Sequence, residues 1–136
     1  MKRSSLILLA IAVGAGLGIA AVRWTQSPPG GGTGIAVKLP DRFSQSATAG
    51  RDLFDANCKL CHGSNGAGTD QGPTLIHKVY EPNHHTDQAF YRAAQLGVRA
   101  HHWRFGNMPP VAGATRDDVG LIIRYVREIQ RANGIY

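Results

Sequence analysis

Cysteine is scarce in this chain, with only two in 136 residues. A structural zinc site usually takes four Cys or His ligands as two separated pairs, and no second Cys pair exists to complete one. Methionine is equally scarce, since Met108 is the only one besides Met1. Runs of β-branched residues are few, and no parallel-sheet pattern appears. Gly63, Gly66 and Gly68 stand in the order G-x-x-G-x-G without a preceding strand, so they do not make a nucleotide-binding loop. No basic stripe interleaved with aromatics is present, which leaves nucleic-acid binding with little support.

Both cysteines lie in one short stretch, Cys58-Lys59-Leu60-Cys61-His62. C-x-x-C-H reads as a site for covalent attachment of a c-type haem. Two thiols two residues apart on a helical turn can each add to one vinyl group of a single porphyrin. The adjacent imidazole of His62 then falls under the iron as an axial ligand. A thioredoxin-type redox pair would sit between a strand and a helix, whereas the residues before Cys58 read as helical. A disulfide across two intervening helical residues is sterically poor and leaves His62 without a role. With both thiols consumed by thioether bonds, no disulfide is expected.

The stretch Cys58 to Leu75 reads C-K-L-C-H-G-S-N-G-A-G-T-D-Q-G-P-T-L, and Asn107-Met108-Pro109 follows, with Met108 46 residues beyond His62. In this order the chain resembles a small monohaem class I cytochrome c of the membrane-anchored bacterial type, roughly from Ala47 to Gln130. The resemblance implies an all-α fold, with helices and loops wrapped around one covalently bound haem c. It also implies that the Pro73 carbonyl holds the Nδ1–H of His62, which fixes the ring and strengthens it as a donor. Leu75 would pack on the haem face, and Met108 would be the second axial ligand. A thioether opposite an imidazole favours ferrous iron and raises the potential. Gly50 and Phe54, four apart, would pack against Tyr125 of the last helix. Arg99 and Arg104 are candidate partners for the haem propionates by charge alone.

Three segments are expected: residues 1–24 as a membrane anchor or signal, 25–45 as a Pro/Gly-rich linker, and 46–136 as the haem domain. Lys2 and Arg3 precede an uncharged run from Leu6 to Val22. Its 17 residues stand at the lower limit for spanning a bilayer. Arg23 and Trp24 follow it as an interfacial anchor would, while small residues from Gly18 to Ala21 also suit signal cleavage. Either way the domain is exported, to the periplasmic face of a bacterial inner membrane or free in the periplasm. Thr25 to Pro40 reads as a flexible tether partly stiffened by its prolines.

Within the domain, a first helix is expected from Ser46 or Thr48, one of which would cap it, with Leu53 and Phe54 facing inward. A second runs from Asp87 to Leu96 and stops at Gly97, with Ala89, Phe90, Ala93 and Leu96 as its apolar face. A third runs from about Arg116 to Arg131, opened by Thr115 and Asp118 as a capping box. Val119, Ile122, Ile123, Val126 and Ile129 form its apolar stripe. Asp117 and Asp118 at its start, and Arg127 and Arg131 near its end, suit the helix dipole.

Four of the six histidines form the pairs His84-His85 and His101-His102. They read as a second metal site for copper or zinc, as an alternative to Met108 on the iron, or as exposed loop residues. The last is the plainest, with propionate contacts shared by Trp103 or Arg104, because adjacent histidines on one loop rarely meet at one ion without further ligands. Three of the six net positive charges belong to Lys2, Arg3 and Arg23, so only a modest basic balance remains to steer an acidic partner. The function expected is one-electron transfer between membrane complexes, such as a quinol-oxidising complex and a terminal oxidase. The alternatives are an electron-accepting subunit of a dehydrogenase and, with an open iron position, a gas- or peroxide-reactive protein. No acid/base or nucleophile constellation points to haem-independent catalysis.

Overall fold

The computed structural model describes residues 34–136. Among these residues the helices are α1 (Gln45–Asn57), α2 (Lys59–His62), α3 (Asp87–Leu96) and α4 (Arg116–Ala132), with 3₁₀ turns at Ser64–Gly66 and Lys78–Tyr80. Among the described residues there are no strands, only an isolated bridge between Val98 and Met108. No described helix is long and apolar enough to cross a membrane. The Leu6 to Val22 run lies outside the described residues.

The crossing of α1 and α4 organises the core. Ala47 and Phe54 of α1 are buried, as are Val119, Ile122, Ile123, Tyr125, Val126 and Ile129 of α4. The expected stripe on α4 is therefore the buried face. Gly50 lets the two backbones touch, since a Cβ there would stand 2.0 Å from the Leu121 carbonyl oxygen. The Tyr125 ring packs against Phe54 at 5.4 Å between centroids and against Phe43 at 5.3 Å. Its hydroxyl donates to Asn65 Oδ1 at 2.7 Å. At the start of α4, Thr115 and Asp118 form the reciprocal capping box.

Four expectations need correction. The N-cap of α1 is Ser44, not Ser46 or Thr48: its Oγ accepts from Ala47 N at 3.1 Å and donates to Glu128 Oε1 at 2.6 Å. That contact joins residues 84 apart, which local spacing does not reveal. Part of the expected tether, within residues 34–40, is also held to the domain. Ile35 N donates to Ala67 O, and Asn133 holds Lys38 through both its N–H and its carbonyl. Leu96 is 70 % exposed, so of the expected apolar face of α3 only Ala89, Phe90 and Ala93 line the crevice. Arg127, finally, lies before the last turn of α4, where Arg131 is the basic residue; it is buried, and its contacts are described below.

Candidate functional site

A crevice of about 800 Å³ opens between α2, α3, α4 and the segment 97–114. Pockets for bound small molecules and cofactors commonly fall in this size range and are mainly apolar. Here the wall includes Phe54, Leu75, Phe90, Val98, Ile122 and Ile123. Cys58, Cys61, His62 and Met108 all line it, although 46 residues separate the last two.

Helical turns place the first three. His62 N donates to Cys58 O at 2.9 Å, and Cys61 N to the same oxygen at 3.2 Å. The two thiols and the imidazole thus emerge from one turn. Burial pushes the Cys58 thiol up to about 11, with repulsion from Cys61 adding. A redox-active C-x-x-C pair has the opposite property, a depressed thiol. The local chemistry therefore argues against thiol–disulfide exchange.

His62 Nδ1 lies 2.9 Å from Pro73 O. A carbonyl can only accept, so Nδ1 carries the proton and Nε2 keeps its lone pair. Burial lowers the His62 pKa, against the opposing effect of the Pro73 hydrogen bond, so the neutral ring is favoured. A ligand imidazole is neutral and donates its other N–H to a carbonyl or carboxylate in the same way. Pro73 and Leu75 are both on the crevice wall.

Met108 arrives by a different route. Val98 N donates to Met108 O at 2.9 Å and Met108 N to Val98 O at 3.0 Å. This two-bond clasp closes the loop between them, and Asn107 Oδ1 accepts from Ala100 N inside it. Gly97 permits the clasp: its φ is +76°, and a Cβ would meet Met108 O at 2.5 Å. Trp103 Nε1 donates to the Tyr80 hydroxyl at 2.9 Å, which pins the loop to the Lys78–Tyr80 turn.

Arg104 is exposed and is not on the crevice wall, whereas Arg99 is. Both arginines are candidates by charge alone, and charge says nothing about which side of a loop faces inward. Three of the paired histidines, His84, His101 and His102, are exposed loop residues as in the plainest reading, and His85 is half-buried. His84, His85, His101 and His102 converge at the crevice rim, with neighbouring ring centroids 4.2–6.0 Å apart. The two pairs thus come from two different loops.

Sequence reasoning missed the polar scaffold behind the crevice. Arg127 Nε donates to Asp87 Oδ1 at 2.9 Å. Its NH1 donates to Tyr80 O and Gln130 Oε1, both at 2.7 Å, and its NH2 to His85 O at 2.5 Å. Buried Gln130 donates to Leu75 O at 2.9 Å. One signal was available: Arg127 lies four residues after Ile123, and Gln130 four after Val126. Polar residues on a buried helical stripe must find buried partners.

A helical fold around an apolar crevice, with a C-x-x-C-H turn on its wall, defines the class of covalent haem proteins. The family model described as cytochrome c matches residues 47–130. The chain belongs to the cytochrome c family and binds one covalently attached haem c. No curated protein and no solved structure matches it. The crevice fits that cofactor in size, in its apolar lining and in carrying a neutral, oriented imidazole beside two thiols. When bound, the haem iron supplies one-electron redox chemistry. The family supports a haem-based electron carrier as the activity.

Proposed function

We propose that this chain is a class I, monohaem one-electron carrier. Cys58 and Cys61 hold the haem through thioethers, and His62 and Met108 are its two axial ligands. The observation that carries this reading is that these four side chains line one crevice. Pro73 keeps the His62 ring fixed, so the imidazole enters the coordination sphere already oriented. The Val98–Met108 clasp fixes the backbone that carries the thioether. Filling both axial positions excludes exogenous ligands and leaves electron transfer as the available chemistry. Residues 1–24 anchor or export the domain on the periplasmic side of a bacterial inner membrane. From there it passes electrons from a quinol-oxidising complex to a terminal oxidase.

A thioether raises the potential relative to a more basic ligand or water. Met108→Ala is therefore expected to lower the midpoint potential of the haem-loaded protein markedly in a redox titration. An unchanged potential would remove Met108 from the iron.

A further inference from the structure

The two histidine pairs meet because three contacts join distant parts of the chain. Trp103 bonds Tyr80, Arg127 holds the His85 carbonyl, and the Val98–Met108 clasp fixes the base of the loop that carries His101 and His102. His84, His85 and His102 each offer a ring nitrogen, and these nitrogens all lie within 4.8 Å of one another. His84 Nε2 and His102 Nε2 are 3.4 Å apart. That is long for a hydrogen bond to nitrogen, which is about 2.9–3.0 Å. It matches the spacing of about 3.3–3.4 Å between two nitrogens bound at 2.0–2.1 Å to one tetrahedral zinc ion.

Tautomers favour the same conclusion. His85 Nδ1 is 2.5 Å from Val79 O, and His101 Nδ1 is 2.8 Å from Arg99 O. Each carbonyl forces the proton onto Nδ1 and leaves Nε2 as a free donor. A backbone carbonyl behind the far ring nitrogen is the usual support of a metal-bound histidine. The nearby Arg127 charge is partnered by Asp87 at 2.9 Å, which reduces its repulsion of a cation. His84 and His102 are exposed, so an ion can enter from solvent.

We infer that His84, His85 and His102 form a binding site for one divalent transition-metal ion of the zinc or copper class, separate from the ligands of the haem iron. His101 stands beside the site, its ring 4.2 Å from that of His102, but only His84, His85 and His102 bring their nitrogens together. Imidazole suits both ions, and a site without imposed geometry holds copper(II) more tightly than zinc(II).

The experiment uses the haem-loaded full chain, expressed without a histidine tag and titrated separately with zinc chloride and copper(II) chloride in a calorimeter. One ion per chain is expected, with tighter binding of copper. His84→Gln and His102→Gln, both exposed changes, should each weaken binding at least tenfold. Copper(II) paramagnetic resonance should show coupling to several imidazole nitrogens, which disappears in the double variant, while the haem absorption bands stay unchanged when either ion binds. The inference is overturned by absence of saturable binding to the haem-loaded chain. Affinity insensitive to both substitutions, or haem bands that shift as the ion binds, overturns it equally.

Discussion

The two faces of α4 differ in how they are completed. On the side of α1 the chain closes on itself: Phe54, Tyr125 and Ile129 are fully buried, and the backbones touch at Gly50. On the side of α3 the chain leaves a crevice of about 800 Å³, and α3 contains no buried residue at all. The first face is a protein core in the ordinary sense, packed by interdigitating side chains. The second is a wall shaped for a group the chain does not encode. A domain of this size has little apolar surface to spare, so the haem is structural material as well as redox centre. Arg127 and Gln130 join the two faces, because they project from the buried helix and bond the backbone that edges the crevice.

The closed face is the easier one to break. Gly50→Ala gains about 1 kcal/mol of helix propensity but places a Cβ 2.0 Å from the Leu121 oxygen. Overpacking of this kind costs about 3 kcal/mol at the upper end of its usual range. Because the obstacle is backbone, the cost wins. Denaturant unfolding of the haem-loaded protein should show a net loss of about 2 kcal/mol or more, with the haem spectrum unaltered. Equal stability would mean that the helices cross elsewhere.

Arg127→Met tests the join between the faces. It leaves the Tyr80 and His85 carbonyls without their main donor, at about 1–3 kcal/mol for buried groups left unsatisfied. Asp87 is 59 % exposed, so its stranded charge adds little. A loss of about 2 kcal/mol is expected, with faster amide exchange around residues 78–86 and none in the middle of α1. Uniform loosening of both faces would contradict the division drawn between them.

A smaller effect comes from Tyr125 on the closed face. Burial pushes its phenol up from 10.0 to about 12, Asp55 adds repulsion, and Arg51 opposes. The neutral phenol is the form the fold prefers. Its contribution is therefore fully present below pH 10 and is lost as pH rises through about 12. Stability measured across that window should fall, and Tyr125→Phe should flatten the fall. An identical alkaline profile in the variant would remove Tyr125 as its cause.

The order in which these features could be read follows from how local their causes are. Cys58, Cys61 and His62 sit on one turn, Thr115 and Asp118 three residues apart, and the α4 stripe repeats at helical spacing. Such patterns are visible in a linear sequence. The Ser44 cap was missed because its second partner, Glu128, is 84 residues away. The inward turn of Arg127 and the meeting of His84 with His102 likewise depend on tertiary contacts. Charge alone made both Arg99 and Arg104 candidates, and only the loop geometry separates them, with Arg99 on the crevice wall. The pattern favours short-range chemistry over long-range support.

In the proposed carrier, His62 and Met108 close the iron on both sides. The visible spectrum of the reduced, haem-loaded protein, recorded with and without carbon monoxide, tests it most directly. With both positions filled, the spectrum is expected to stay unchanged on adding the gas. Rapid formation of a carbon monoxide adduct would contradict it, take Met108 from its role, and move the chain to the gas- or peroxide-reactive haem proteins.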